Sequence, residues 1–462
     1  MISSTTRVIL VRHGRSTFND QGRYKGSSDD SVLTQQGLET ARLVGTYFNR
    51  RFPSNTAKAV ADRFPGRSIE PLSESPIDLI YTSPLRRVQQ TAEAIAQAIA
   101  PSMRPPIVVN HDLKEISLSH WEGLTYAQVK QQYPQQYQLW QQRPEQFQLS
   151  VRSDYTTACS TVYATEAIAY ATEAIAGSTM TQSAKAATVV ATRTYFPVQT
   201  LYQAAQYFWK TVLPQHSGRT LLIVSHSGTI HALVSTALGL SPSFHHSLQQ
   251  SNCGVSELTF TTRSPVNGPE ADIASDKKRS DKRESLSSLG YDVQLHQLNQ
   301  TSAIGERLPK IKVNKKGLRL LLLPSDSLQP EACKQLSTKI GQLPLDFCVA
   351  ADITSSSLSA LMQHCSSVLC LEAKTVEFLQ AWRQQLADSP RSAEPLITAL
   401  VVAPAASIQM LLMQTLGHRV NVLMPNFSAV ERRCIALRPH HLSVVHYPYQ
   451  HRPVVQAINA AC

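Results

Sequence analysis

Val8-Ile9-Leu10-Val11-Arg12-His13-Gly14-Arg15-Ser16-Thr17-Phe18-Asn19 is the stretch whose reading decides the fold. Residues 8–11 are uniformly apolar, as in a strand buried on both faces of a parallel sheet. The run ends abruptly at Arg12 and His13, and Gly14 permits a sharp turn there. A strand that ends Arg-His-Gly presents a guanidinium and an imidazole at the carboxyl edge of a sheet, where open α/β sheets bind ligands. The stretch therefore predicts a site in which Arg12 holds an anion and His13 attacks it.

Three further strand-to-helix junctions carry matching chemistry. Residues 78–82 form a second strand that runs into Ser83-Pro84-Leu85-Arg86-Arg87, with Ser83 as N-cap and Pro84 as first helical residue. Both arginines then sit in a first helical turn, where free N–H groups and the dipole favour an anion. Residues 107–109 are a third strand, followed by Leu113-Lys114-Glu115. Residues 220–225 are another apolar strand, ending in His226-Ser227-Gly228 before a helix over 229–238. Phosphoryl transfer needs positive charge around three oxygens and an in-line nucleophile. Neutral imidazole can supply the nucleophile, and nearby cations favour the neutral form of His13. Asn19 and Ser227 offer further donors to phosphate or substrate, and Glu115 is the best-placed carboxylic acid to protonate a leaving alkoxide.

These motifs resemble the histidine phosphatase, or phosphoglycerate mutase-like, superfamily: Arg12-His13-Gly14 with Ser16 and Asn19, Ser83 to Arg87 with Thr91-Ala92, Leu113 to Glu115, and Ser225 to Gly228. The resemblance covers about residues 7–260. It implies His13 as the phosphorylated nucleophile, Arg12, Arg87 and His226 as the phosphate pocket, and Glu115 as proton donor. Arg15, Ser227 and His231 depart from common family choices. Residues 140–147, 250–256 and 298–301 are similar to the two-domain plant and cyanobacterial branch named for 2-carboxy-D-arabinitol 1-phosphate hydrolysis, which implies a sugar or sugar-acid phosphate as substrate.

The fold class expected is α/β, a three-layer α/β/α mostly parallel sheet followed by a degenerate second copy. At 462 residues there is room for two domains, and 42% hydrophobic against 17% charged residues suits a packed core. The expected layout is a catalytic domain over 1–262, a charged linker over 263–316 and a degenerate domain over 317–462. Helices are expected over 34–48 and about 126–140, and a last strand of the catalytic domain over 252–260. An Ala/Thr-rich insertion at about 150–195 holds Tyr-Ala-Thr-Glu-Ala-Ile-Ala twice, at 163–169 and 170–176. In the second domain, 320–326 parallels 8–14 with Pro324-Ser325 for Arg-His. Residues 346–355 parallel 78–87 with Ser355 for the arginine, 400–404 parallel 222–226 with Pro404 for histidine, and 426–431 echo 252–257.

No apolar run approaches the roughly 20 residues of a membrane helix, and the first strand starts too early for a signal peptide, so a cytoplasmic protein is expected. Eight scattered cysteines without metal-ligand spacing suggest reduced thiols. No metal, cofactor, nucleic-acid or membrane partner is expected, and the oligomeric state is open. A net charge of +11 suits nucleic acid or, equally, an anionic small substrate, and much of the excess lies between Arg263 and Arg319, outside the expected site. His111, His120 and His231 are read as non-catalytic, and the pairs His245-His246 and His440-His441 as surface residues. The function expected is a metal-independent phosphomonoesterase. The alternatives are a cofactor-dependent phosphoglycerate mutase, disfavoured by Ser27 in place of a mutase-type Trp, and a non-catalytic phospholigand-binding scaffold.

Overall fold

The structure, a computed structural model, describes residues 4–52, 77–152, 192–263, 290–312, 316–326, 336–338, 340, 343, 345–350, 368–370, 396–418, 434–449 and 451–461. In chain order the first part gives β1 (Thr5–Arg12), α1 (Thr17–Asp20), α2 (Gln35–Arg51), β2 (Leu79–Thr82), α3 (Arg86–Ala98), β3 (Ile107–Val109), α4 (Tyr126–Gln132) and α5 (Pro134–Gln142). It continues with β4 (Leu149–Arg152), β5 (Thr192–Tyr195), α6 (Pro197–Val212), β6 (Thr220–Ser225), α7 (Ser227–Ala237) and β7 (Val255–Thr262). The remainder gives β8 (Tyr291–Gln300), β9 (Gly317–Pro324), β10 (Phe347–Ala350), β11 (Val368–Cys370), β12 (Ile397–Ala403), α8 (Ala405–Thr415), β13 (His441–Pro448) and β14 (Val454–Ala461). Among the described residues no helix is long and apolar enough to cross a membrane.

Twelve strands make one sheet in the order β11-β10-β12-β9-β13-β14-β8-β7-β1-β6-β2-β3. Strands β1, β6, β2 and β3 are parallel, and β7 and β8 add antiparallel strands beside β1. The other half repeats this order and direction: β9, β12, β10 and β11 are parallel, with antiparallel β13 and β14 beside β9. The halves meet where β8 pairs antiparallel with β14, Leu298 opposite Ile458. The sheet is therefore mixed, parallel within each outer half and antiparallel across the middle.

Alternation along β1 shows why the apolar run makes a central strand. Val8 and Leu10 enter the apolar layer covered by α6 and α7, while Ile9 and Val11 enter the opposite layer with Ala41, Val44 and Phe48 of α2 and Val88, Ala92 and Ile95 of α3. That is the α/β/α sandwich. The first layer continues through Leu320 and Leu322 of β9 to Ile408 and Leu412 of α8, so both halves share one core on that face.

The junction is clasped by two asparagines at positive φ, Asn299 at 51° and Asn459 at 55°. Asn299 Nδ2 donates to Gln456 O at 2.7 Å, and Asn459 Nδ2 donates to His296 O at 2.7 Å. Asn299 Oδ1 accepts from Ser251 N–H at 2.7 Å, and Asn459 Oδ1 from Arg438 N–H at 2.9 Å. Asp78 and Asp346 likewise each accept from the first residues of the neighbouring strand, Thr220 N–H at 2.7 Å and Thr398 N–H at 2.6 Å. The correspondence thus extends from strand order to individual hydrogen bonds.

Several expectations change. Tyr291–Gln300, placed in the linker 263–316, is an interior strand, so β7 is not the last strand of its half. Its polar residues hid it: His296 bonds Thr259 Oγ1 at 2.9 Å, and Asn299 bonds across the junction. The helical stretch 126–140 splits at Tyr133, because Pro134 starts a new helix. Helix α3 starts at Arg86 with Leu85 as its N-cap, so Ser83 is not the cap. The insertion is closed at its base by the β4–β5 ladder, and both heptads lie outside the described residues. Residues 426–431 and Ser355 also lie outside them. Strand β13 occupies the place of β7, and its start at His441 sets the correspondence.

Glu257 on β7 ties β1 to α2. Its carboxylate, 3% exposed, accepts from Arg7 Nε at 2.7 Å and Arg51 Nη2 at 2.7 Å. Burial alone would raise its pKa, but Arg51 and Arg7 hold it below the ordinary carboxylate value. Glu257→Gln, which strands two guanidiniums, should cost about 3–5 kcal/mol in denaturant unfolding at pH 7. A depressed folded pKa stabilises above the unfolded value of about 4.3 and is lost as pH falls through the folded one. The gap between wild type and variant should therefore narrow when unfolding is repeated at pH 3 or below.

Candidate active site

Strands β1, β6 and β2 are neighbours, and their carboxyl ends deliver Arg12 and His13, His226, and the arginines of α3 to one edge. His13 prolongs the ladder through its N–H to Ser225 O at 2.9 Å. Gly14 follows because a Cβ there would meet Gly37 O at 2.5 Å. The four groups are enclosed: His13 is 1% exposed, Arg12 7%, and Arg87 and His226 0%.

Each side chain is aimed by bonds that leave one atom unused. His13 Nδ1 lies 2.7 Å from Gly14 O, which makes Nδ1 the donor and leaves Nε2 with a lone pair. The His226 ring stands edge-on to it, with centroids 5.4 Å apart. His226 Nε2 pairs with Ser83 Oγ at 2.9 Å, while Nδ1 is buried without a partner. Arg12 Nη1 donates to Gln250 O at 2.8 Å, and Arg87 Nη1 and Nη2 donate to Ser28 O at 2.7 Å and Gly26 O at 3.1 Å. The Nε of each arginine is buried and unpartnered.

Glu115 is half-buried beside them. Its carboxylate accepts from Ile116 N–H at 3.0 Å and Gly228 N–H at 3.3 Å, the latter in the first turn of α7. A Cβ on Gly228 would meet Glu115 Oε1 at 2.5 Å, so the absence of a side chain lets the carboxylate reach the helix end. Ser227 opens α7 next to His226. Asn19 sits behind the His13 turn, where its Oδ1 accepts from Ser16 N–H at 3.2 Å and Ser16 Oγ at 3.0 Å.

Two residues at this edge were not anticipated in these roles. Lys25, in the turn-rich loop after α1, bears electrostatically on His13, Arg12, Arg87, His226 and Glu115. Asn252 Nδ2 donates to His13 O at 3.0 Å and Gly14 O at 3.1 Å and so holds the catalytic-edge turn. Burial first, then Lys25, Arg12, Arg87 and His226, push the pKa of His13 well below 6.5. Burial, with Arg87, Lys25 and Arg12, does the same to His226. Both rings are neutral at pH 7. His245, read as a surface residue, is instead 2% exposed and packs on Trp140, Tyr202 and His231. Among the described residues no cluster of His, Cys, Asp or Glu is disposed to hold a metal ion.

The arrangement is a closed cationic edge with unused N–H donors around an imidazole lone pair. It suits a tetrahedral oxyanion held against a nitrogen nucleophile. The corresponding edge of the other half is different. Pro324 ends β9 and Ser325 follows it, Pro404 caps α8, and the Asp326 carboxylate accepts from Ala405 N–H at the start of that helix.

A protein of Triticum aestivum named 2-carboxy-D-arabinitol-1-phosphatase is 31% identical over 263 residues, covering 56% of this chain and 38% of that one. An Arabidopsis thaliana protein named probable 2-carboxy-D-arabinitol-1-phosphatase is 29% identical over 268 residues, 58% of this chain and 41% of that one. Phosphoserine phosphatase 1 of Hydrogenobacter thermophilus is 28% identical over 138 residues, 30% of this chain and 52% of that one. The chain spans about two fifths of the length of the two plant relatives. The model of the histidine phosphatase superfamily (branch 1) matches residues 8–60, 57–161 and 182–267, just over half of the chain. With the four junctions assembled at one sheet edge, that match makes this chain a member of the histidine phosphatase superfamily, branch 1.

Proposed function

We propose that the protein is a phosphomonoesterase that hydrolyses a small phosphorylated sugar or sugar acid through phosphohistidine, without a metal ion. The observation that carries the reading is the set of buried, unused donors, Arg12 Nε, Arg87 Nε and His226 Nδ1, on the three side chains around a neutral His13. Buried polar nitrogens without partners are costly, and the oxygens of a phosphoryl group are acceptors for the two guanidinium N–H groups and for His226 when its Nδ1 carries the proton.

In the first step His13 Nε2 attacks phosphorus, the N–P bond forms and the ester P–O bond breaks. The leaving alkoxide takes the proton of the Glu115 carboxyl. In the second step Glu115 carboxylate takes a proton from water, the water oxygen attacks phosphorus and the N–P bond breaks. Inorganic phosphate leaves, and both residues return to their starting state. Arg12, Arg87 and His226 hold the equatorial oxygens throughout, and Asn19 and Ser227 supply lesser contacts. The names of the plant relatives support a sugar-acid phosphate as substrate. The half that ends in β14 lacks the Arg-His pair and fills its own helix end with Asp326, so it serves structure rather than turnover.

Purified protein should release phosphate from a panel of phosphorylated metabolites and p-nitrophenyl phosphate, undiminished by chelators. His13→Ala should abolish release and the acid-labile phosphoenzyme seen on rapid quench. Arg87→Ala should lower kcat about 10²–10³-fold. Absence of release from the wild type across the panel, with phosphate compounds still bound, would favour the scaffold reading, and bisphosphate-dependent isomerisation of phosphoglycerate would favour a mutase.

The acid limb of kcat/KM provides a separate check. Because His13 is held neutral well below 6.5, activity should persist below the ordinary histidine range. Lys25→Met removes the largest charge that depresses His13, so the limb should move toward neutral pH. A limb unmoved by that substitution would show that His13 is not the titrating group.

A further inference from the structure

Between β8 and β9 the chain crosses from one half of the sheet to the other along residues 301–312, most of which lie beyond any element. Ala303 and Ile304 pack against the layer that holds Phe48, and Leu308 packs against the layer that holds Leu321 and Leu323. Pro309 O accepts from Arg319 Nη2 at 2.8 Å, and Lys310 O accepts from Gln249 Nε2 at 3.0 Å. The crossing is pinned to both halves just before it reaches Lys312.

Lys312 is exposed as a residue, yet its ammonium donates to Gln250 O. The same oxygen accepts from Arg12 Nη1 at 2.8 Å. Gln250 cannot drift, because its Nε2 donates to Gly254 O at 2.6 Å and its Oε1 accepts from Ser256 Oγ at 3.0 Å. An ammonium and a phosphate-pocket guanidinium therefore share one neutral acceptor. Two like charges on one carbonyl repel, and the carbonyl dipole does not neutralise them. The carboxylate on the crossing, Glu306, is taken up by Lys310 at 2.7 Å. Burial of the ammonium end, then Arg12 and Lys25, push the pKa of Lys312 well below 10.5, and Glu306 acts against them.

In the reading above, Arg12, Arg87 and His226 already hold the phosphoryl oxygens, so a further cationic side chain is surplus to them. Lys312 is exposed as a residue while its ammonium meets the Gln250 carbonyl that Arg12 also uses, which sets a second cationic group beside that arginine. A second feature points the same way. His231 stands one turn along α7 from Ser227, its Nε2 is buried without a partner, and both Lys312 and Arg12 act on it electrostatically.

We propose that Lys312 forms a second anion subsite that receives a carboxylate on the carbon skeleton of the substrate, so that the enzyme selects phosphorylated hydroxy acids over neutral sugar phosphates. The proposal rests on the phosphatase reading above and names its substrate class. One ammonium beside a carbonyl suits a monoanion, whereas a second phosphate would ask for further cations. Lys312 lies outside the matched residues 8–267, so this specificity comes from the crossing and from the second half that fixes it.

The test uses the full chain and two matched pairs, 3-phosphoglycerate against glycerol 3-phosphate and 6-phosphogluconate against glucose 6-phosphate. In the wild type kcat/KM should favour at least one acid over its neutral partner. Lys312→Ala should lower that ratio about tenfold or more, mainly through KM, and Lys312→Arg should restore much of it. A ratio unchanged by Lys312→Ala overturns the subsite. So does a Lys312-dependent preference for fructose 1,6-bisphosphate over both acids, which would assign a second phosphate instead. Failure of the wild type to turn over any phosphate ester would overturn the phosphatase reading alone. The subsite is then decided by calorimetric titration of His13→Ala with the same pairs. Tighter binding of the acid that disappears in His13→Ala/Lys312→Ala supports it, and equal binding of acid and neutral partner overturns it.

Discussion

Positive charge buried without a bonded carboxylate is the constraint on which this structure turns. Arg12 and Arg87 spend their hydrogen bonds on the carbonyl oxygens of Gln250, Ser28 and Gly26, which orient the guanidiniums but leave their charge in place. Burial lowers the pKa of Arg12 and takes that of Arg87 to about 10, so both remain cations at neutral pH. Such an arrangement is unfavourable for an empty site and favourable once a dianion arrives. Burial, joined by the same charges, pushes the pKa of His13 and of His226 well below 6.5. In the phosphatase reading, that one condition prepares both the oxyanion pocket and the nucleophile.

The sheet is what makes that condition tolerable. Three parallel strands, uniformly apolar inside, fix the ends of β1, β6 and β2 to one another through a continuous ladder. The antiparallel strands β7 and β8 then protect one flank of β1, and β14 covers what would be the exposed edge of β8. Glu257 joins β7 to Arg7 on β1 and Arg51 on α2 behind the pocket. The other half repeats the scaffold down to the Asn459 and Asp346 hydrogen bonds, but Asp326 supplies the anion that its helix end would otherwise take from solution.

The strands and helices around the site were legible in the sequence because each junction couples a period to a chemical type: four apolar residues, then Arg-His, or an apolar strand, then His-Ser-Gly. Assembly of His13, Arg12, Arg87, His226 and Glu115 at one edge follows from parallel strands alone. What stayed hidden has no period. Lys25 is one lysine in a loop of Gly, Ser and Asp, and nothing local distinguishes it from a solvated charge. Asn252 acts through backbone carbonyls more than two hundred residues earlier in the chain. Ser83 reads as a helix cap by composition, but its hydroxyl is drawn to His226 because the helix begins later, at Arg86. Strand β8 is polar because its side chains bond to partners distant in sequence, His296 to Thr259 on β7 and Asn299 to Gln456 across the junction, which no local pattern reveals.

The β8–β14 junction also explains why a half without the Arg-His pair remains joined through one sheet. An edge strand as long as β8 is a liability by itself, and the buried Asn299 amide would lack an acceptor without Gln456. Pairing β8 with β14 removes the open edge and fixes where the chain must cross back to β9. The crossing then has little choice of path. Its apolar residues fill gaps in two separate layers, Gln249 and Arg319 hold its backbone, and Lys312 comes to rest on the carbonyl that also orients Arg12. The pocket and the non-catalytic half are thereby coupled through Gln250. A shift of the second half that moved Lys312 would act on the carbonyl that orients Arg12, without touching His13.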